Sequence, residues 1–246
     1  MTERMSPHQS PFSRAKEESR EERNRLQRIY ASYSTDPYYQ RIWSNDEARF
    51  MLERKWEEIA RLVKDEGVDV GSARVLDLGA GNGSDCERLR GLGFRPDHIV
   101  AIDLLHEYAR SAKTGHGWLT VLQADGAHLP FRAGAFDLVY QSTVLSSVLD
   151  KDRRKDICAE VLRVLAHNGL FVSYDTRYPN PWNRNTHPLR AREMRAAFSG
   201  CQVKARSVTP VPQLMRLVGS LSRAIVRVID TVPLLRSHLL AVVRKP

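Results

Sequence analysis

Three glycines in two-residue steps follow an acid in Asp77-Leu78-Gly79-Ala80-Gly81-Asn82-Gly83, where the apolar run "ARVLDLG" ends and a charged, helix-compatible segment begins. Glycine removes the Cβ that keeps a ligand off the backbone and permits turns at positive φ. Two later apolar runs also end in acids: Asp103 closes "HIVAIDL" and Asp125 closes "LTVLQAD". The glycine spacing is G-x-G-x-G, not the G-x-G-x-x-G that cradles a dinucleotide pyrophosphate. A carboxylate at position 77 repels a pyrophosphate and suits a cationic ligand, an ammonium or a sulfonium. Asp103 lies about 20 residues past the turn, where an acid accepts from both hydroxyls of a ribose. Asp125 is placed to accept from an adenine amino group. Each acid, taken alone, also fits an ordinary loop-capping or solvent-facing role; three in series predict one shared pocket.

Those acids need a sheet to carry them. From Ala73 onward the pattern is strand, helix, strand. "ARVLDLG", "HIVAIDL", "LTVLQAD", "FDLVYQST" and "LFVSYD" read as strands one to five. "SDCERLRGLG", "HEYARSAKT" and "DRRKDICAEVLRVLAHNG" read as helices, the last with Ile157, Val161, Leu162, Val164 and Leu165 inward and a terminal glycine. "QVKARSVTPV" and "HLLAVVRKP" read as a final strand pair. Short runs buried on both faces and alternating with helices predict an α/β fold, a Rossmann-like, mainly parallel sheet covered by helices on both faces. In such sheets ligands bind beyond the carboxyl ends of the strands, which is where the glycine turn and the three acids fall.

In order and spacing, "VLDLGAGNG", "VAIDL", "LQADGAHLPF", "FDLVYQSTVLSSV" and "EVLRVLAHNGLFVSYD" resemble successive motifs of the class I S-adenosylmethionine-dependent methyltransferases, over roughly residues 73–176. The resemblance implies a seven-stranded sheet ordered 3-2-1-4-5-7-6 with strand 7 antiparallel. It implies S-adenosyl-L-methionine as cofactor, S-adenosyl-L-homocysteine as product, and an enzyme of class EC 2.1.1. Asp77, Gly79, Ala80, Gly81 and Gly83 would shape the methionine and ribose pocket. Asp103, with Leu104 beside it, would bind the ribose, and Asp125 with Gly126 would hold the adenine. Gln141 would line the junction between methionine and acceptor, with structural duty as an equal alternative. Tyr33, with Tyr30, Tyr38 and Tyr39, would belong to an N-terminal lid, as in many small-molecule members, or would pack on the sheet edge.

Methyl transfer from a sulfonium is an in-line displacement, driven by holding the acceptor against the methyl carbon and excluding water. An oxygen acceptor gains from a general base. Asp175, at the tip of strand five, and His187, further along "SYDTRYPNPWNRNTHPLR", are the candidates. Arg177, Tyr178 and Asn180 make that loop polar and aromatic, a mix suited to a sugar-containing or other small acceptor. "VPLLRSHLLAVVRKP", "DPYYQRIW" and "YPNPWN" are similar, more loosely, to methyltransferases of bacterial polysaccharide and glycolipid synthesis. A C-methyltransferase acting on a quinone or isoprenoid-like acceptor, and a cofactor-binding protein without turnover, stay open. No metal-ligand spacing occurs, so no metal is expected. No N/D-P-P-Y/F tetrad follows strand four, where "YQST" stands, so nucleic acid is not the expected partner.

The chain has 246 residues, 42% of them hydrophobic, with a formal charge of +9. Its basic excess is local: Met194–Pro246 holds nine Lys and Arg against the single acid Asp230. Residues 1–25 read as disordered or as a charged helix, 26–67 as a helical lid, and 68–246 as the catalytic domain. Phe50, Trp56, Ile59, Leu62 and Val63 mark a lid helix that Gly67 stops. A basic amphipathic helix is expected at about 212–236, to cap the pocket, touch an anionic membrane surface or form a dimer face. No apolar run approaches the ~18–20 residues of a membrane span, and the N-terminus lacks the apolar core of a secretory signal. A cytoplasmic location is expected, with peripheral contact at the inner membrane face as an option. Cys86, Cys158 and Cys201 read as reduced structural thiols.

Overall fold

The structure, a computed structural model, describes residues 11–35, 46–179, 184–211 and 229–246. Strand β1 (Val75–Leu78) is buried at every position, as a strand covered on both faces must be. It pairs in parallel with β2 (Ile99–Asp103) on one side and β4 (Phe136–Ser142) on the other. β3 (Thr120–Gln123) closes one edge in parallel with β2, and β5 (Leu165–Thr176) continues in parallel from β4. β7 (Arg236–Arg244) then runs antiparallel between β5 and the edge strand β6 (Gln202–Pro210). The seven strands therefore lie in the order 3-2-1-4-5-7-6, with strand 7 antiparallel, as expected. Helices are α1 (Pro11–Thr35), α2 (Asp46–Asp65), α3 (Ser84–Gly91), α4 (His106–Gly115), α5 (Val144–Ser147), α6 (Lys151–Val164) and α7 (Ala191–Ala197).

Strand alternation divides the interior into two layers. Val75, Ala101, Leu138, Tyr140, Val172 and Tyr174 face one side, where Trp56, Ile59, Leu62 and Val63 of α2 and Leu89 of α3 cover them. Leu76, Leu78, Ile102, Val139, Phe171 and Val243 face the other, under Ile157, Val161 and Val164 of α6 and Met194 of α7. This rule decides which polar side chain of a strand meets which helix, and it governs the site below.

α2 ends where Gly67 was expected to stop it: Gly67 has φ 66°, and the N–H of Val68 donates to the Val63 carbonyl. The helix expected over "DRRKDICAEVLRVLAHNG" stops earlier. α6 ends at Val164, and Leu165 already pairs with Phe136 as the start of β5, with Asn168 turning the chain at φ 60°. An apolar run of this length carries no periodicity that separates a buried helix end from a buried strand start. Residues 212–228 of the expected basic helix, and Tyr38 and Tyr39, lie outside the described residues. Ile229–Thr231 is helical, and a turn at Pro233–Leu235 leads into β7. No helix among the described residues is long and apolar enough to cross a membrane.

Candidate functional site

At the carboxyl ends of β1, β2 and β4 the sheet opens into a cavity of about 200 Å³. Asp103 forms its best-defined wall. One carboxylate oxygen accepts from the Gly81 N–H at 2.9 Å and the other from the Leu105 N–H at 2.9 Å. Burial raises the Asp103 pKa, and the amides of Leu105 and Gly81 pull it back. Two main-chain donors thus fix the plane of a carboxylate that lines the cavity and keeps further acceptor capacity.

The glycine turn makes that clamp possible. The N–H groups of Gly79 and Ala80 both donate to the Ile102 carbonyl, tying the turn to β2. Gly79 has φ 74°, and a Cβ there would sit 2.3 Å from Cγ2 of Val144, which itself lines the cavity. Gly83, at φ 83°, ends the turn and begins α3. Gly79, Leu104, Asp125 and Gly126 line the cavity beside Asp103, whereas Ala80, Gly81 and Gly83 are not among its lining residues. Asp125 does not stand alone: its Oδ1 accepts from the Ala127 N–H at 3.0 Å, and its Oδ2 meets an Arg153 Nη at 2.6 Å.

Asp77, expected to meet the other two acids, is not among the residues that line this cavity. It is 1% exposed and points to the α2–α3 side of the sheet, where Cys86 Sγ donates to it at 3.0 Å. Burial, followed by the charge of Asp85, pushes its pKa up to about 7. A group the sequence did not single out stands nearby. Lys55 of α2 reaches Asp85 at 2.6 Å and Ser142 Oγ at 3.0 Å, and Tyr140 donates to Asp85 at 2.8 Å. Beyond it, the half-buried His238 ring stacks on Tyr174 with centroids 4.4 Å apart, and loss of solvation, then Lys55, lowers its pKa to about 3. The signal that was available was a lysine on the apolar stripe of α2, next to Trp56.

Gln141 takes the structural alternative left open for it, and neither it nor Asp175 is among the residues that line the cavity. Both are 0% exposed, on the face covered by α6. Gln141 donates to Ser173 Oγ and to Asp175 and accepts from the Val144 N–H at 2.8 Å. Asp175 accepts from the Ser146 N–H at 2.9 Å and from Ser173 Oγ at 2.6 Å. Together they hold α5, whose residues Val144 and Ser147 face the cavity. Thr143, also on the cavity wall, starts α5 in a left-handed conformation (φ 61°), which costs about 1–3 kcal/mol in a non-glycine residue. His187 faces Glu193 at 3.1 Å, and its N–H donates to the Ser146 carbonyl. Arg177 donates to the Pro233 carbonyl, and Tyr178 to the Leu234 carbonyl, tying the end of β5 to the turn before β7. Asn180 and the side chain of Tyr33 lie outside the described residues. Leu26 and Tyr30 of α1 do line the cavity, with Tyr30 3.2 Å from Ser147 Oγ and edge-on to Tyr108.

Residues 76–173 match the model of the methyltransferase domain family. This segment matches a methyltransferase domain, and the strand order is the one that the resemblance to class I S-adenosylmethionine-dependent methyltransferases implies. Over 122 residues it is 39% identical to malonyl-[acyl-carrier protein] O-methyltransferase of Geobacter sulfurreducens, covering 48% of this chain and 43% of that protein. Over 106 residues it is 34% identical to demethylmenaquinone methyltransferase of Clavibacter sepedonicus, covering 42% and 41%. The chain thus spans less than half the length of these two relatives. A solved S-adenosylmethionine-dependent methyltransferase from Mesorhizobium loti shares its fold, with a TM-score of 0.55 at 19% identity over 75% of this chain and 96% of that one. One from Archaeoglobus fulgidus aligns at 0.56 and 15% identity, over 82% and 100%. None of these relatives is named for a saccharide acceptor, so the looser likeness to enzymes of polysaccharide and glycolipid synthesis finds no support among them.

The family implies S-adenosylmethionine as methyl donor, and the cavity suits it. A doubly clamped carboxylate on its wall can accept from hydroxyl groups, and a Cβ-free turn stands beside it.

Proposed function

We propose that this chain is an S-adenosylmethionine-dependent methyltransferase that methylates an oxygen of a small-molecule acceptor. The observation that carries this reading is the Asp103 carboxylate held between the Gly81 and Leu105 amides on the cavity wall. Asp103 would take the ribose hydroxyls, and Asp125 with Gly126 would hold the base. The cofactor, when bound, supplies a methyl group on a positively charged sulfur. This chain's residues align the acceptor with it and keep water out. α1 contributes by roofing the cavity with Leu26 and Tyr30.

The residues that line the roof and the β4–α5 wall support a reading of the acceptor. Ser142, Thr143, Ser147 and Tyr30 offer hydroxyls there, and Leu26, Val144 and Val148 offer carbon. Asp175 is buried beneath α5, and His187 is engaged with Glu193, so neither is aimed at an acceptor proton. An acceptor oxygen that arrives already ionised, as a carboxylate, needs no base. That favours ester formation over methylation of a sugar hydroxyl, and the Geobacter relative is an O-methyltransferase. C-methylation of a quinone-like ring is the second reading, favoured by the apolar wall and the Clavibacter relative.

The test has two arms. Calorimetry with S-adenosylhomocysteine reads cofactor binding; labelled methyl transfer to carboxylic acids, sugars and quinols reads the acceptor. A methyl ester is cleaved by mild alkali, whereas a methyl ether or C-methyl product is not. Alkali-stable product overturns the carboxylate acceptor; binding without any product overturns turnover itself.

A further inference from the structure

We propose that the turn at residues 232–234, with Tyr178 beside it, seats this chain on an anionic bilayer surface. Six large hydrophobic side chains are exposed among the described residues, and three of them belong to this one feature. Leu234 is 74% exposed, Val232 40% and Tyr178 37%. Single exposed leucines are ordinary on a protein surface; three apolar side chains gathered at one tip mark an interaction surface. The tip is also held in place. Tyr178 Oη donates to the Leu234 carbonyl at 2.9 Å, and Arg177 Nη1 donates to the Pro233 carbonyl at 2.7 Å. The Leu235 N–H closes the turn on the Val232 carbonyl at 3.0 Å. A turn fixed beforehand loses little further freedom when its apolar side chains enter a partner.

Charge and position select that partner. The Arg177 guanidinium lies 4.5 Å from the Tyr178 ring centroid and has no carboxylate partner among the described residues. Residues 212–235 carry Arg216, Arg223 and Arg227 against one acid, Asp230. That acid is 5% exposed and taken by Arg54 at 2.6 Å, so it does not offset the arginines at the surface. A tyrosine and leucine tip beside an arginine fits a bilayer interface, with carbon among the acyl chains and the guanidinium at the phosphates. Anionic headgroups add to the attraction. His238 of β7 pairs with Thr176 of β5, and Tyr174 of β5 with Ser142 of β4, which lines the cavity. The turn therefore leaves the sheet at the cavity's end, and a seat there brings the cavity within reach of an acceptor carried in the bilayer.

Flotation of the full chain with phosphatidylcholine vesicles, with and without phosphatidylglycerol, tests the seat. The wild type should float with the anionic vesicles and far less with neutral ones, and added salt should weaken the binding. Leu234→Asp should bind at least about tenfold more weakly, the size of one buried leucine side chain. Leu122→Asp, at a leucine 40% exposed on the opposite edge strand β3, should bind as the wild type does. A wild type that stays unbound overturns the proposal, as does equal flotation with neutral and anionic vesicles. Leu234→Asp that floats as well as the wild type, or no better than Leu122→Asp, overturns it too. Light scattering reads the other occupant: a wild-type dimer that Leu234→Asp turns into a monomer, without vesicle binding, marks a self-association face and overturns the bilayer seat. No cofactor enters the assay, so its failure leaves the methyltransferase reading standing.

Discussion

Lys55 Nζ lies 2.6 Å from Asp85 Oδ2, which joins the N-terminal helix α2 to the first turn of α3. The same ammonium sits 5.3 Å from the ring centroids of Trp56 and Tyr174 and 5.6 Å from that of Tyr140. Its side chain is only 8% exposed. A buried cation with a carboxylate, a hydroxyl and three ring faces is fully satisfied, and it neutralises a region that also holds Asp77.

Removing that cation leaves Asp85 without its charge partner. Lys55→Met should destabilise the protein by about 3–5 kcal/mol, read as a lower urea midpoint. Lys55→Met with Asp85→Asn should cost less than the two single changes summed, because the orphaned charge is then gone. Additive losses would show that the pair is not coupled.

Asp77 and His238 should push stability in opposite directions between about pH 4 and 6.5. The raised pKa of Asp77, about 7, means the native state holds a proton that the unfolded chain loses near 4. Its contribution therefore weakens stability as pH rises to 7. The depressed pKa of His238, about 3, means the unfolded chain gains a proton near 6.5 that the native state refuses. Its contribution is lost as pH falls from 6.5 toward 3. Each slope is at most about 1.4 kcal/mol per pH unit. Relative to wild type, Asp77→Asn should lose stability on acidification and His238→Phe should gain it. Urea midpoints at half-unit pH steps read both, and parallel profiles for all three proteins would refute the assignment.

Asp103→Ala should weaken S-adenosylhomocysteine binding by one to two orders of magnitude, about 1.5–3 kcal/mol for a lost charge-assisted pair. Unchanged affinity by calorimetry would remove Asp103 from the pocket.

Asp175 provides a test of burial against sequence position. A catalytic base replaced by an amide loses about 10²–10⁴-fold in rate. A carboxylate sealed under α5 should behave otherwise. Asp175→Asn should keep turnover within about tenfold, while Asp175→Ala, which orphans the Ser146 N–H, should cost about 1–3 kcal/mol of stability. A collapse of kcat in a fully folded Asp175→Asn protein would restore it as the base.

The sheet was legible in residues 73–176 because strands covered on both faces must be short and apolar, and because Gly79 and Gly83 mark a turn no other residue adopts easily. The boundary between α6 and β5 was not legible, since the mostly apolar stretch around Val161, Leu162, Val164 and Leu165 suits either element. Arg153 was not singled out, because nothing in "DRRKD" reports that its side chain meets Asp125.

Local pattern alone determined where each strand ends in an acid: Asp77 near the end of β1, Asp103 closing β2, and Asp125 two residues past β3. Which of those acids faces the cavity was decided only by packing. A side chain at a strand end goes to one face or the other by the two-residue alternation of the pleat, and its partner there comes from a helix far away in the chain. So Lys55, 22 residues upstream, stands near Asp77 on the α2 face, and Ser146, 29 residues before Asp175, takes that carboxylate into the core.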